Sequence, residues 1–470
     1  MYKERISAYI DSKKEEMLED LKLLVRINSQ KGAAEEGKPF GRGPAQVLAA
    51  AEELLKKYGF ITTNYDNYVV TGDFSEKEKQ LDILAHLDVV PVTEDWTVTQ
   101  PFEPKIVDGR IYGRGTADDK GPAIAVLYAM RAIRDLGIPM EKSVRLILGS
   151  DEECGSGDLR YYYSREKEAP YSFTPDADFP LINIEKGRLE APFSAEFDDN
   201  RSLPRVLSLK SGDKANVVPQ RARMVIEGIE ENTLRRISGE VSAETGVLFT
   251  VSRDETRENA FVLDARGRAA HASTPQEGKN ALTASVRLAC RLPLADSQGQ
   301  RALAALDRMM PYEDTCGKAL GIYREEVQSG SVTLCFSILD YTPEKITGTF
   351  DARLPIGCTE ENTECPVAAM MEENGIHMAT GGMVHPHCVP GDSEFVRTLL
   401  NSYEKYSGVK GEPLSTGGGT YVHNLERGVA FGCMTADVDN HMHGDDEFMV
   451  IDTLLMSAKI FADAILNLCR

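Results

Sequence analysis

The chain has 470 residues, a formal net charge of −21 and 42% hydrophobic residues. This length predicts two domains, and the composition is that of a packed globular protein. The acidic balance, with no block of Lys or Arg to offset it, argues against nucleic acid or an anionic membrane as a partner.

The start of the chain, from Met1 to Arg5, leads into a charged amphipathic stretch, so no secretory signal is predicted. No uncharged apolar run approaches the ~18–20 residues that a membrane span requires. The nine cysteines contain no CxxC pair, and we expect reduced, mostly buried thiols. These features predict a cytoplasmic protein.

Alternating helix and strand patterns fill the first part of the chain. Apolar residues from Val47 to Leu55 have helical spacing, and Gly59 stands where that helix should end. Short apolar runs at 81–84 and 144–148 predict buried strands, and residues 122–136 between them predict a helix. This alternation predicts an α/β domain with a mostly parallel central sheet flanked by helices.

The pattern changes after about residue 185. Segments that alternate between polar and apolar residues, with charged helical stretches among them, continue to about residue 383. The α/β pattern then returns, with Asp392 and Ser393 as candidate helix caps and residues 451–469 as a closing amphipathic helix. We predict that residues 1–186 and 384–470 form one α/β domain, interrupted by an inserted α+β domain of residues 187–383.

The first predicted strand ends in a His-x-Asp sequence, His86-Leu87-Asp88. Residues two apart on a strand point to the same side. His86 could therefore offer a nitrogen to a metal ion while Asp88 orients it with a carboxylate. An isolated His-x-Asp is more often an ordinary histidine with satisfied hydrogen bonds, so this motif needs support from elsewhere in the chain.

Further carboxylates follow the next predicted elements. The stretch 113–121 carries two adjacent aspartates at a helix start, and one of them could bridge two cations. Its glycines do not match a dinucleotide-binding GxGxxG, because the third glycine is missing. Glu152 and Glu153 follow the strand at 144–148 and could divide metal ligation and proton transfer between them. Asp176 lies in a turn after another strand.

Two histidines, His441 and His443, precede a run of carboxylates near the C-terminus. Imidazoles combined with several carboxylates form a mixed nitrogen and oxygen set that suits Zn²⁺, with Mn²⁺ or Co²⁺ as substitutes. Three of these sites follow predicted strand ends, where open α/β sheets bind their ligands. Their coincidence favours a metal centre over unrelated polar surface.

The motifs, in order, resemble those of the aminoacylase/carboxypeptidase-G-type zinc metallopeptidase family, and most closely its dipeptidases of the peptidase V type. The resemblance covers nearly the whole chain. The motifs are HLDVVP, YGRGTADDKGP, GSDEECGSGD, TPDADFP, GRAAHASTPQEGKNA, GGGTY and HGDDE.

The resemblance implies two zinc ions per chain. It makes Asp118 the bridging ligand, because the family motif has this aspartate two positions before its lysine. His86 and Asp176 would complete one zinc site, and Glu153 and His443 the other. His443 rather than His441 fits the family's His-x-x-Asp-Glu pattern.

The resemblance also implies the catalytic groups. Glu152 would be the general base that activates the water bridging the two zinc ions, and Asp88 would orient His86. His271, in the inserted domain, would stabilise the tetrahedral intermediate. The inserted domain itself resembles the family's lid.

Substrate contacts are implied at Asn216, at Arg353 and at the glycine loop that contains Gly418 and Gly419. Arg353 would grip the C-terminal carboxylate of the substrate. The glycine loop is not a phosphate loop, because no Gly-Lys-Ser/Thr follows it. The family usually continues this loop with Ala-Arg, where this chain has Val422-His423, which puts the substrate preference in question.

The predicted function is therefore a zinc metallopeptidase, a dipeptidase that hydrolyses the peptide bond of short, unblocked peptides. One alternative is an N-acyl amino acid amidohydrolase, similar to acetylornithine or succinyl-diaminopimelate deacylases. Another is a catalytically inactive peptide-binding relative. A small peptide is the expected partner. The insertion of roughly 195 residues resembles the enlarged lid of peptidase V, and this resemblance implies a monomer rather than a homodimer.

Overall fold

The computed structural model describes residues 2–198 and 202–470. The chain divides into two compact units. The first unit contains Met1–Ile184, Cys388–Ser415 and Gly419–Arg470, and the second contains Glu185–His387 and Thr416–Gly418. The sequence did not separate residues 416–418 from the chain around them, and its domain limits of 186/187 and 383/384 stay a prediction.

The described residues form helices of ordinary length and many short strands. The α-helices are α1 (Lys3–Ser12), α2 (Lys14–Val25), α3 (Arg42–Lys57), α4 (Lys120–Asp135), α5 (Gly157–Tyr163), α6 (Glu231–Thr245), α7 (Ala281–Arg291), α8 (Gln298–Met309), α9 (Cys365–Glu373), α10 (Glu394–Ser407) and α11 (Ile451–Cys469). The strands are β1 (Ile61–Tyr65), β2 (Val69–Asp73), β3 (Lys79–His86), β4 (Lys105–Val107), β5 (Arg110–Tyr112), β6 (Ser143–Gly149), β7 (Tyr171–Thr174), β8 (Ala177–Asp178), β9 (Ile182–Glu185), β10 (Gly187–Glu196), β11 (Arg205–Ser211), β12 (Arg221–Glu227), β13 (Leu248–Arg253), β14 (Ala260–Arg266), β15 (Glu325–Glu326), β16 (Gly330–Ser331), β17 (Thr333–Tyr341), β18 (Lys345–Leu354), β19 (His377–Met378), β20 (His387–Cys388), β21 (Leu414–Thr416), β22 (Gly428–Ala430), β23 (Cys433–Met434) and β24 (Phe448–Val450).

A nine-stranded sheet organises the first unit, in the order β1-β2-β6-β3-β7-β22-β9-β20, with β21 paired to β9. At its centre β3 pairs in parallel with β6 and with β7, and β22 pairs in parallel with β7. Antiparallel pairs of β1 with β2, of β2 with β6 and of β22 with β9 flank this centre. The predicted α/β class with a mostly parallel central sheet is confirmed.

Both faces of this sheet are covered, and alternate residues of β3 face opposite sides. Ile83 and Ala85 belong to the large apolar core, whereas Leu84 belongs to a smaller cluster with Tyr162 and Tyr421. Residues two apart on a strand share a face, so His86 lies on the side of Leu84. Its ring meets the ring of Tyr421 edge to face, with 6.0 Å between the centroids.

Local capping signals explain the limits of several helices. Ser393 rather than Asp392 caps α10, because its hydroxyl accepts a hydrogen bond from the Val396 N–H at 3.3 Å. Gly408 ends the same helix with a φ of +72°, a left-handed conformation that glycine adopts without strain. The closing helix over residues 451–469 also has the predicted limits.

An eight-stranded antiparallel sheet organises the second unit, in the order β13-β14-β12-β11-β17-β18-β10-β19. Helix α7 packs on β11, β12, β14 and β17, and α6 and α8 pack against α7. A separate apolar core lies between these helices and the sheet. The second unit therefore has the α+β character that the sequence predicted for the insertion.

Two general expectations from composition can be compared with the structure. Four of the nine cysteines are buried and all nine are free thiols, so the expectation of mostly buried thiols is wrong. None of the described helices combines the length and the apolar composition that crossing a membrane requires.

Candidate metal centre

The predicted metal ligands of the first unit follow the ends of its parallel strands. His86 is the last residue of β3, Glu152 and Glu153 follow β6, and Asp176 follows β7. Because these strands are parallel neighbours, their C-terminal ends meet at one edge of the sheet. Asp118 reaches the same place from the loop between β5 and α4.

One group of possible ligands consists of His86, Asp118 and Asp176. Nε2 of His86 lies 2.9 Å from Oδ1 of Asp118 and 3.5 Å from Oδ2 of Asp176. The ring of His86 and the side chain of Asp118 are almost completely buried. This group therefore joins a buried imidazole and a buried carboxylate to the partly exposed carboxylate of Asp176.

A second group consists of Asp118, Glu153 and His443. Nε2 of His443 lies 2.8 Å from Oδ2 of Asp118 and 3.2 Å from Oε1 of Glu153. Asp118 thus presents one carboxylate oxygen to each histidine. A carboxylate shared in this way is the arrangement expected of a ligand that bridges two cations.

The charges in these groups shift the pKa values of both histidines. Hydrogen bonds to Asp118 and Glu153 raise the pKa of His443 to about 11. Burial alone would lower the pKa of His86, but Asp118 and Asp176 outweigh burial and raise it well above its ordinary value. Burial opposes ionisation of Asp118, yet the two histidines hold its pKa well below the ordinary range. The site therefore favours positive charge at its centre.

The residues fit a pair of divalent ions. Nε2 of His86 and Oδ1 of Asp118 are both buried, and although they lie 2.9 Å apart they form no well-aligned hydrogen bond with each other or with any other described residue. Buried polar atoms without a partner are costly, and a coordinated cation would satisfy both. In each group the candidate ligand atoms lie within 4.8 Å of one another, and the mixture of imidazole and carboxylate suits zinc.

Asp88 contacts both His86 and the turn that carries the two glutamates. Nδ1 of His86 lies 3.1 Å from the main-chain oxygen of Asp88 and 3.5 Å from its carboxylate. The Asp88 carboxylate accepts hydrogen bonds from the backbone N–H groups of Glu152 and Glu153, each at 3.2 Å. The ring is thus held mainly by the main chain of Asp88, and the turn by its side chain.

Glu152 lies beside the two groups without belonging to either. It starts a short 3₁₀ turn, Glu152–Cys154, directly after β6. Burial raises the pKa of its carboxyl group well above the ordinary value; the nearby His86 lowers it, while Asp176 and Glu153 add to the rise. A carboxyl group with a raised pKa in such a place can accept and return a proton.

The neighbouring Asp119 has a different position from Asp118. Its Oδ2 accepts a hydrogen bond from the backbone N–H of His86 at 3.0 Å, and the side chain is fully buried. It therefore fixes the end of β3 and belongs to neither group of possible ligands. His441 is also outside both groups, with Nδ1 3.2 Å from the main-chain oxygen of Asp445.

Two buried charged residues near the centre were given no role in the sequence prediction. The guanidinium of Arg114 donates to the carboxylate of Glu447 at 2.6 Å, and both side chains are inaccessible to solvent. Glu447 also accepts hydrogen bonds from the loop that carries Asp118. Its place in the His-x-x-Asp-Glu motif was the one signal in the sequence.

Most of the other predicted functional residues lie in the second unit, where His271 and Asn216 are both exposed. The backbone N–H of Ser273 donates to Nδ1 of His271 at 3.2 Å. A neutral ring then carries its proton on Nε2, which leaves Nε2 as a hydrogen-bond donor. Asn216 lies alongside, because its main-chain oxygen accepts a hydrogen bond from Ala272 at 2.9 Å.

Arg353 is buried and largely occupied within the second unit. Its Nε and Nη2 donate to the two carboxylate oxygens of Asp351 at 2.7 and 2.8 Å, and Nη1 donates to the Gly417 oxygen at 2.8 Å. A Cβ atom added to Gly417 would lie 2.6 Å from Cβ of Ser273. The glycine loop up to Gly418 therefore lies close to Arg353 and to the segment of His271.

Gly419, the other glycine predicted to contact substrate, belongs to the first unit and is exposed. The residues after it form a short 3₁₀ turn, Tyr421–Asn424. Val422 is fully buried in the cluster with Leu84 and Tyr421, so its side chain serves the core of the first unit. His423 is half-buried.

Comparison with known proteins gives a consistent result. The model of peptidase family M20/M25/M40 matches residues 83–467. The chain is 34% identical over 473 residues to the Beta-Ala-Xaa dipeptidase of Lactobacillus delbrueckii subsp. lactis, an alignment that covers 98% of this chain and 97% of that protein.

Two solved structures share the fold. Human carnosine dipeptidase 1 superposes with a TM-score of 0.61 at 16% identity, covering 100% of this chain and 99% of its own. The aminoacylhistidine dipeptidase of Vibrio alginolyticus gives a TM-score of 0.57 at 15% identity, covering 97% of this chain and 96% of its own. At these identities the likeness concerns the fold alone.

The family match extends over most of the chain, and the Lactobacillus relative aligns along nearly all of it. The resemblance read from the motifs is therefore confirmed, and so is the predicted class of enzyme, a metallopeptidase. The chain belongs to peptidase family M20/M25/M40.

Proposed function

We propose that this protein is a dizinc dipeptidase that hydrolyses the peptide bond of short, unblocked peptides. The observation that carries the proposal is the shared carboxylate of Asp118. Its Oδ1 lies 2.9 Å from Nε2 of His86, and its Oδ2 lies 2.8 Å from Nε2 of His443. Asp176 completes one group of ligands and Glu153 the other. Mn²⁺ and Co²⁺ prefer similar ligands and are the expected substitutes for Zn²⁺.

Two bound divalent ions would supply Lewis acidity, which polarises the scissile carbonyl and makes a water molecule acidic near neutral pH. Glu152 takes the proton of the attacking water, because its carboxyl group lies beside the centre and is not needed as a ligand. It then returns the proton to the amine that leaves. Asp88 holds Glu152 in place through the hydrogen bond to its backbone N–H.

Roles in substrate binding are proposed for residues of the second unit. His271 is proposed to donate its Nε2–H to a developing oxyanion, because Nδ1 accepts a hydrogen bond from Ser273 and the proton of a neutral ring then lies on Nε2. Arg353 has its Nε–Nη2 edge bound to Asp351 and its Nη1 bound to the Gly417 oxygen, so a substrate carboxylate would bind to the N–H groups that these contacts leave. The motif resemblance supports three further substrate contacts, from Asn216 and Gly418 of the second unit and from Gly419 of the first unit.

The substrate class rests on the relatives. The Lactobacillus relative, 34% identical along nearly all of this chain, is named for dipeptides that begin with β-alanine. We propose that dipeptides are also the substrates of this chain. A free amino group and a free carboxyl group at the two ends of the substrate define the unblocked peptides of the proposal.

Hydrolysis of matched substrates tests this proposal. Zinc-loaded and manganese-loaded protein would be incubated with L-alanyl-L-alanine, its N-acetyl form, β-alanyl-histidine, a tripeptide and N-acetyl amino acids, with chelator-treated protein as the control. We expect cleavage of the free dipeptides and much slower cleavage of the N-acetyl form. Cleavage of only the acylated amino acids would instead indicate an amidohydrolase. No cleavage by protein with both metals bound would indicate an inactive peptide-binding relative.

A further inference from the structure

We infer that Glu447 is a positioning residue, which holds the Asp118 loop so that the Asp118 carboxylate can serve both groups of ligands at once. The inference rests on the metal centre of the proposed function. It assigns to Glu447 no contact with substrate and no contact with an ion. Its role is to set the geometry of the ligand on which both sites depend.

The carboxylate of Glu447 binds several backbone N–H groups of the loop before α4. It accepts hydrogen bonds from the N–H groups of Gly115 at 3.0 Å, Ala117 at 2.9 Å and Asp118 at 3.2 Å. These N–H groups lie in the loop before α4, outside any helix or strand that could pair them, and buried backbone N–H groups need a partner. One buried side chain therefore satisfies three donors and fixes the peptide group of the bridging residue itself.

Arg114 connects this loop to the segment of the second histidine. Its Nη1 donates to Glu447 at 2.6 Å, and its Nη2 donates to the main-chain oxygen of Gly444 at 2.9 Å. Gly444 directly follows His443. The pair of Arg114 and Glu447 thus links the backbone of Asp118 to the backbone of Gly444, the residue next to His443.

Strand pairing brings Glu447 to this place. Strand β24 pairs with β5, with Phe448 opposite Tyr112, and the Gly113 N–H donates to the main-chain oxygen of Glu447 at 2.9 Å. The residue that precedes β24 therefore lies beside the loop that follows β5. The hydrogen bond from Gly113 therefore fixes the main chain of Glu447, and the carboxylate of Glu447 in turn fixes the loop that carries Asp118.

The segment before Glu447 needs such support. His443 has a φ of +63° and Asp446 a φ of +57°, left-handed conformations that are unfavourable for residues other than glycine. Asp446 accepts hydrogen bonds from the backbone of Thr97 at 2.9 Å and of Val98 at 2.8 Å. Consecutive carboxylates, Asp446 and Glu447, therefore fix this segment to two different loops.

The chemistry of the side chain matters as well as its size. An ionised carboxylate offers acceptor sites on both oxygens, whereas the amide of Gln offers one oxygen and presents an NH₂ group in place of the other. In Glu447→Gln this NH₂ group would face either the loop N–H groups or the Arg114 guanidinium. Both are donors, so the isosteric variant cannot keep all of the contacts.

The test compares zinc binding in the full-length wild type, Glu447→Gln and a matched control, Glu94→Gln, which makes the same change at an exposed position near Trp96. Zinc content and dissociation constants are measured by competition with a chromophoric chelator, and the melting temperature is measured with and without zinc. We expect Glu447→Gln to bind zinc about 10–100-fold more weakly, the usual effect of losing a residue that orients a ligand. The rise in melting temperature on adding zinc should shrink accordingly. Glu94→Gln should match the wild type.

If Glu447 had a purely structural role, Glu447→Gln would have a lower melting temperature both without and with zinc, and its zinc affinity would be unchanged. This result would overturn the inference. If Glu447→Gln does not fold, Arg114→Lys takes its place, because lysine keeps the charge but lacks the fork that reaches both Glu447 and Gly444. Unchanged zinc affinity in Arg114→Lys would overturn the inference in the same way. A wild type that binds no zinc would overturn the proposed function and the inference together.

Discussion

The carboxylate of Asp88 holds the main chain of Glu152, because Oδ1 of Asp88 accepts a hydrogen bond from the Glu152 N–H at 3.2 Å. Its Oδ2 accepts one from the Glu153 N–H at the same distance, and its main-chain oxygen lies 3.1 Å from Nδ1 of His86. One residue thus contacts a candidate ligand from each of the two groups, His86 and Glu153, and also the proposed base, Glu152.

Removing the Asp88 side chain should therefore affect metal binding and turnover together. We expect Asp88→Ala to lower kcat/KM for a dipeptide by about 10–100-fold, because both N–H groups of the turn lose their acceptor. Asp88→Asn keeps one oxygen and should lie between Asp88→Ala and the wild type. Steady-state kinetics at fixed free zinc would measure the effect, with exposed Asp95→Ala as the control. Wild-type kinetics in Asp88→Ala would contradict this role.

The shared carboxylate predicts different zinc contents for different ligand variants. Asp118→Asn should lose zinc from both sites, because Asp118 contacts both His86 and His443. His86→Ala and His443→Ala should each lose one ion and keep the other. Zinc per chain after dialysis at a defined free zinc concentration gives the comparison, and exposed His377→Ala should keep the wild-type content. Equal losses in all three ligand variants would contradict the shared-ligand arrangement.

The pKa of His443 predicts a pH dependence for the metal-free protein. Asp118 and Glu153 raise this pKa to about 11, whereas an unfolded chain has a histidine pKa of about 6.5. Protonated His443 therefore stabilises the folded state, fully below about pH 6.5, and this contribution is lost as the pH rises through about 11. In chelator-treated protein, His443→Gln should lower the melting temperature most near pH 6.

The gap between wild type and His443→Gln should then shrink steadily as the pH rises from 6 towards 11. His377→Gln, at an exposed position, should show no such trend. Zinc affinity should change in the opposite direction and increase with pH, because a ligating imidazole must be deprotonated. A gap that stays constant or widens with pH would show that the carboxylates do not hold the proton on His443.

Much of the candidate metal centre could be predicted because its proposed ligands stand in short motifs near strand ends. His86 ends one strand, and Glu153 and Asp176 shortly follow two others. These positions point to one edge of a parallel sheet without any knowledge of distant contacts. The helix that Ser393 caps was predictable for the same reason. These features depend on neighbours in sequence.

Other features depend on pairing between distant residues. Arg114 and Glu447 are 333 positions apart and meet only because β24 pairs with β5. A charged residue in a sequence is usually exposed, so nothing marked this pair as buried. Residues 416–418 joined the second unit through contacts of Gly417 with Arg353, which no local pattern reveals. The expectation of mostly buried thiols fails at residues such as Cys154, which is exposed, because burial of a thiol depends on how distant elements pack around it.

The most direct test of the central proposal is the turnover of Glu152→Gln at full zinc loading. We predict that this variant binds two zinc ions per chain, the number proposed for the wild type, because Glu152 belongs to neither group of candidate ligands. Its kcat for an L-dipeptide should fall by at least about 10²-fold, since the proton acceptor is lost, while Glu94→Gln remains at the wild-type value. Hydrolysis by Glu152→Gln within tenfold of the wild type, at equal zinc content, would contradict the assignment of Glu152 as the general base of a metal-dependent dipeptidase.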